Sequence, residues 1–158
     1  KKLHPNDLRR IVRALEVYYR TGEPISALQR KKEASERPYQ PLYVGLFRDR
    51  KELYERVDLR VDQMIQEGLV EEVQKLLKAY PDQPTALQAL GYKEMASFLQ
   101  GKMTLTEATQ RLKRDTRRYA KRQLSWFKRN EEIHWFNCTE MSDRTIREAV
   151  CSLWESFR

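Results

Sequence analysis

At 158 residues, 40% of them hydrophobic and three of them Trp, the chain is long enough for a domain with its own core, which excludes a disordered segment. Its 31 Lys and Arg outnumber 23 Asp and Glu, a formal charge of +8 that points to nucleic acid, phosphates or an anionic surface as partner. No run of about 18 apolar residues is present to span a bilayer and no charged, apolar and small-residue succession marks a signal peptide, so no membrane partner is expected.

The opening "KKLHPND" has no initiator Met and runs at once into a helix, as expected of a stretch taken from a longer chain. In "HPNDLRRIVRALEVYYRTGEP", Asn6 or Asp7 caps a helix, Ile11, Leu15 and Tyr18 recur at helical spacing, and Gly22 followed by Pro24 stops it. Arg9, Arg10 and Arg13 lie on its surfaces. "ERPYQP", Glu36 to Pro41, reads as a breaker-rich linker, and "LYVGLF", Leu42 to Phe47, as a short buried strand. Asp49 with Glu52 predicts a capping box that opens a long helix, bent or divided by Gly68, with Leu53, Val57, Val61 and Met64 as its apolar stripe. Arg60 falls at the flank of that stripe and Arg56 one turn before it; such an arginine must snorkel, pair with a carboxylate or point into a polar cavity.

After a loop with Pro81 and Pro84, "ALQALGYKEMASFLQG" predicts two short helices hinged at Gly91. Thr104 and Glu107 make a second capping box for a long basic helix. "IHWFN", Ile133 to Asn137, reads as a second strand and "DRTIREAVCSLWESF" as a closing helix. Two strands joined through helices indicate an α/β fold, mostly α in this chain, whose remaining strands lie elsewhere.

The charge is concentrated in one place. Nine Lys and Arg lie between Arg111 and Arg129 against one acid, Asp115, and the rest of the chain balances at 22 of each sign. On a helical wheel Leu105, Ala108, Leu112, Tyr119, Trp126 and Phe127 share one side, expected to face the core, while Arg111, Arg114, Arg118, Lys121, Arg122 and Arg129 share the other. An ordinary solvated face would mix signs, because like charges at i,i+4 repel; a cationic face about 38 Å long suits a phosphate backbone.

Catalytic signals are sparse. His4 and His134 are the only histidines and read as a turn residue or a packed ring. Gly101 and Lys102 are followed by Met103, with Ala at 96, so no phosphate-binding loop is present. Cys138 and Cys151 have no second pair at ligand spacing, and a reducing, cytoplasmic setting is expected. The residues alone also admit a non-catalytic basic helical RNA-binding module, or a helical protein that docks an acidic partner.

"HPNDLRRIVRALEVYYRTG", "LYERVDLRVDQMIQEGLVEEV", "LQALGYKE" and "TRRYAKRQLSWFKR…HWF" resemble, in this order and spacing, the tRNA dimethylallyltransferase (tRNA isopentenyltransferase) family, from Leu3 to at least Phe136. The resemblance implies transfer of a dimethylallyl group from dimethylallyl diphosphate, with Mg²⁺, to the exocyclic amine of the adenosine 3′ of the tRNA anticodon. It implies that 1–40 ends a helical insertion gripping the anticodon stem-loop, and that 41–158 is the C-terminal part of a P-loop-kinase-like core. The phosphate-binding loop, the general base and most Mg²⁺ contacts would lie outside this stretch, which would be inactive alone. Arg60, with Arg56 as companion, would sit by the diphosphate and stabilise charge on the leaving group. The implied tRNA contacts are Arg9, Arg10, Arg13, Gln88, Gly91, Tyr92, Lys93, Lys121, Arg122, Gln123, Trp126 and Lys128. Within these, Gly91 would let backbone approach the RNA, and Gln123 and Tyr92 would meet bases. A monomer is expected.

Overall fold

The structure, a computed structural model, describes residues 4–34, 39–81 and 85–157. The chain divides into two compact units, Lys1–Pro41 and Leu42–Arg158.

In the first unit, α1 (Leu8–Thr21) and α2 (Ile25–Ala34) follow one another closely. Asp7 caps α1 by accepting the Arg10 backbone N–H at 3.4 Å. Gly22, at φ +71°, ends it by donating its N–H to the Tyr18 carbonyl at 2.8 Å, a left-handed stop that costs a glycine little. Pro24 then leads into α2, a helix the sequence pattern did not signal. Of the linker, Glu36 to Pro38 lie outside the described residues.

The second unit holds β1 (Tyr43–Phe47), α3 (Arg50–Gln66), α4 (Leu69–Ala79), a 3₁₀ turn (Ala86–Gln88), α5 (Tyr92–Leu99), α6 (Leu105–Phe127), β2 (Ile133–Asn137) and α7 (Asp143–Phe157). Among the described residues β1 and β2 form a two-stranded parallel sheet, in register from Tyr43 with Ile133 to Phe47 with Asn137. Parallel neighbours need a long crossover, here supplied by α3 to α6. Gly45 lies opposite Trp135, and a Cβ added there would stand 2.5 Å from the indole, so this position accepts only glycine without displacement.

The core is helical. Val61 of α3, Leu69 and Val73 of α4, Met95 and Ala96 of α5, and Ala108 and Leu112 of α6 are buried together. Each fully buried aliphatic side chain contributes about 1.5–3 kcal/mol. Gly68, at φ +99°, divides α3 from α4, so that both can turn their apolar faces to this cluster.

Three sequence expectations are corrected here. Thr104 and Glu107 form their capping box, with bonds of 3.2 and 2.7 Å, but Asp49 and Glu52 do not. The Asp49 carboxylate accepts instead from Asn137 Nδ2, and Glu52 is taken by Arg48, Arg56 and Thr139. The segment before Gly91 forms a single 3₁₀ turn rather than a helix. Finally, only Ala108 and Leu112 of the predicted core side of α6 are buried; Leu105, Tyr119, Trp126 and Phe127 are exposed. Helical winding puts these residues on one side, but the buried cluster reaches only the first half of α6.

Candidate nucleic-acid interface and anion site

Four acid–base contacts divide the cations of α6 into two classes. Lys113 Nζ lies 2.6 Å from Asp62, and Arg117 Nη1 lies 2.6 Å from Asp58, so two bases one turn apart grip two acids one turn apart on α3. These pairs are half-buried and fasten α3 to α6. Arg114 and Arg118 both reach Asp115, at 3.0 and 3.5 Å. The Arg114 hydrogen bond, aided by the charges of Arg114, Arg118 and Arg111, holds the Asp115 carboxyl below its usual range.

Beyond Arg118 the rest of α6 carries no acid. Lys121, Arg122 and Arg129 have no ion-pair partner among the described residues, and Lys128 Nζ stands 5.5 Å over the Phe47 ring. Arg118, Lys121, Arg122, Ser125, Trp126 and Arg129 line one shallow recess. Trp126, 65% exposed, packs edge-on against Phe127 with ring centroids 4.9 Å apart. The wheel placed Trp126 inward; the structure leaves its ring open amid cations, the composition of a stacking platform for an unstacked base.

A second recess adjoins Arg118 and Arg122 and brings in Gln88 and Lys93 from the segment around Gly91. Two carboxylates, Glu94 and Asp115, stand among these cations. Glu94 is 4% exposed and accepts the Gly91 N–H at 2.9 Å. Gly91 is itself buried beside Leu69 and Leu112, at φ +95°, so its glycine serves the turn and not close approach by a ligand. The Tyr92 hydroxyl donates to Glu72 in a short bond that raises its pKa and holds α5 to α4, so that hydroxyl is already engaged. Gln123 lines a different, largely apolar groove, with Phe47, Leu124 and Trp135, and is not brought together with Lys121 and Arg122.

In the first unit Arg9, Arg10 and Arg13 are all exposed on α1; Arg10 pairs with Asp7 at 3.4 Å and Arg13 with Glu16 at 3.2 Å.

The other cationic feature runs along α3. Arg48, Glu52, Arg56 and Arg60 follow at four-residue spacing, which stacks Glu52, Arg56 and Arg60 on one face of the helix. Asp58, about 200° from Arg60, turns the opposite side toward α6. Arg60 is 62% exposed and meets Glu67 at only 3.4 Å, so of the sequence alternatives it takes the carboxylate, loosely. Arg56 donates through Nε to Glu52 at 2.8 Å. Sequence reasoning missed Arg48 here and gave Glu52 a capping role; the four-residue repeat from 48 to 60 was the signal available.

Among the described residues no three His, Cys, Asp or Glu converge as a metal site.

The IPP transferase family model matches residues 1–130. A tRNA dimethylallyltransferase of Carboxydothermus hydrogenoformans is 51% identical over 150 residues, 95% of this chain and 48% of that protein. The crystal structure of the full-length tRNA isopentenylpyrophosphate transferase of Bacillus halodurans covers 98% of this chain, with 46% of its own length, at 38% identity and a TM-score of 0.72. A eukaryotic dimethylallyltransferase, solved acting on tRNA, covers 99% of this chain with 42% of its own length, at 30% identity and a TM-score of 0.83. The chain spans about half the length of the curated relatives it matches. With the family model matched over most of its residues, this chain belongs to the IPP transferase family.

Proposed function

We propose that the protein containing this chain transfers a dimethylallyl group from dimethylallyl diphosphate to the exocyclic amine of the adenosine 3′ of a tRNA anticodon. In this reading the chain supplies the RNA grip and part of the diphosphate contact. The observation that carries it is the division of charge along α6 and just past its end: Lys121, Arg122 and Arg129 have no ion-pair partner among the described residues and surround an exposed Trp126, while Lys113 and Arg117 are consumed by α3. Unpaired cations are what a phosphate backbone can engage with release of counterions. Names and tRNA-bound chemistry among relatives support the same substrate.

Residues 1–40 would complete a helical insertion that grips the anticodon stem through Arg9, Arg10 and Arg13, and 41–158 would be the C-terminal part of a P-loop-kinase-like core. Gln88, Lys93, Lys121, Arg122, Trp126 and Lys128 would hold the loop. The reactive adenosine must leave its stack, at a cost of a few kcal/mol that these remote contacts offset. Arg60, forked and permanently charged, would donate to diphosphate oxygens and stabilise the charge that grows there as the allylic carbon separates. Its weak hold on Glu67 suits exchange of that carboxylate for a ligand. The general base, the phosphate-binding loop and most Mg²⁺ contacts would belong to other parts of the protein, which would work in the cytoplasm as a monomer.

The test is a prenyl-transfer assay with the full-length protein, dimethylallyl diphosphate and an anticodon stem-loop carrying the adenosine. Label on the exocyclic amine of that adenosine supports the reading. Stem-loop binding without transfer, and without any response to dimethylallyl diphosphate, would favour a non-catalytic RNA-binding module.

A further inference from the structure

We propose that Glu52 is a positioning residue that aims Arg56 as a second diphosphate contact beside Arg60, with Arg48 and Thr139 holding Glu52 in place. The inference rests on the prenyl-diphosphate reading above and adds to it a residue and a role that the chain's motifs do not assign.

Glu52 is pinned from three directions. Its Oε1 accepts from Arg48 Nη1 at 2.7 Å and from Arg56 Nε at 2.8 Å, and its Oε2 accepts from Thr139 Oγ1 at 2.7 Å. Arg48 Nη1 is fixed in turn by the Cys138 carbonyl at 2.8 Å. The end of β1, the segment after β2 and the first turns of α3 thus meet on one carboxylate, at the carboxyl end of the parallel strands, where open α/β sheets bind ligands. The Thr139 hydroxyl bond and then the Arg56 bond lower the Glu52 pKa, so it is ionised at neutral pH.

A strut between these elements would need only Arg48, Glu52 and Thr139. Among the described residues Arg56 adds no tie to another element: it bonds to Glu52 on its own helix and is 59% exposed. What the contact does is fix the guanidinium. With Nε held, the end of the fork carried by the two Nη groups has no hydrogen-bond partner among the described residues. That leaves the outer edge of the fork free for paired donation to two phosphate oxygens. Arg60 follows one turn later on the same face, about 5–6 Å away between Cβ atoms, within reach of one diphosphate.

The experiment is a double-mutant cycle in the full-length protein with Glu52→Ala, Arg56→Ala and both together, reading the KM for dimethylallyl diphosphate against kcat and stem-loop affinity. Arg56→Ala should raise that KM about tenfold or more, as loss of a charge-assisted hydrogen bond does, and Glu52→Ala should raise it less. The double variant should match Arg56→Ala alone, because Glu52 acts through Arg56. Glu52→Gln, which keeps an acceptor for Nε and the Thr139 contact, should restore most of the loss and guards against a Glu52→Ala that fails to fold. Effects that add in full, or a Glu52→Gln as impaired as Glu52→Ala, would overturn the inference while leaving the prenyl-transfer reading intact. A wild type that neither transfers the group nor binds inorganic pyrophosphate in calorimetry would overturn both.

Discussion

The two classes of α6 cation make a quantitative prediction about salt. Counterion release gives log K a slope against log salt of about −0.7 to −0.9 for each phosphate neutralised. Around Trp126, Lys121, Arg122 and Arg129 have no ion-pair partner among the described residues. Replacing all three with Ala should therefore flatten the slope for an anticodon stem-loop by about 2–3 units. The wild type's advantage in affinity should then shrink roughly 15- to 40-fold between 50 and 200 mM salt. Fluorescence anisotropy of a labelled stem-loop, titrated at four or five salt concentrations, reads this directly. The Lys113–Asp62 pair supplies the control. Lys113→Gln with Asp62→Asn removes a cation without changing net charge, and it should lower the melting temperature while leaving the slope within half a unit of wild type. A triple variant with the wild-type slope, or a control that flattens it equally, would refute the division of labour.

Other expectations follow from the fold. Gly45→Ala places a methyl 2.5 Å from the Trp135 ring, and overpacking of this kind costs about 1–3 kcal/mol, measurable by urea denaturation; an unchanged midpoint would mean the ring moves freely. Leu112→Ala, at a side chain 1% exposed beneath α5, should cost about 2–5 kcal/mol in the same assay, and a loss under half a kcal/mol would contradict the core described. Glu107, Asp115 and Glu52 all have pKa values lowered in the folded state, by the Thr104 backbone N–H, by Arg114 and by the Thr139 hydroxyl respectively. Their stabilisation is present above the ordinary carboxylate values of 4.5 and 3.8 and is lost as pH falls through the lower folded values. The melting temperature should hold from pH 7 to about 5 and decline below 4; a profile level to pH 3 would show these contacts to be inert.

Features set by neighbouring residues were legible in the sequence. Gly22, the Thr104 and Glu107 box, and the strand at Ile133 to Asn137 each depend on residues a few positions apart, and each forms over the residues that signal it. What escaped depends on long range. The competition for Asp49 and Glu52 comes from Asn137 and Thr139, more than 80 residues away, and no local pattern announces it. The wheel shows which residues of α6 share a side but not where its neighbours stop, so it puts Trp126 on the core side although the family resemblance makes it an RNA contact. Net charge could not separate Lys113 and Arg117 from Lys121 and Arg122, yet a trace existed: two acids four apart on α3 and two bases four apart on α6. Of the site, the α6 cations were readable as charge density and Arg48 as the first of a four-residue repeat, whereas the tie of Arg48 to the Cys138 carbonyl shows only once the strand ends meet.

The measurement closest to the central claim is prenyl transfer by the full-length protein with Arg60→Ala beside wild type, followed together with stem-loop affinity. Loss of a donor aimed at the leaving diphosphate should lower kcat by about 10²-fold or more, with stem-loop binding unchanged. A variant that turns over at the wild-type rate, or one that loses RNA affinity instead, would contradict the assignment of the α3 arginine row to the diphosphate.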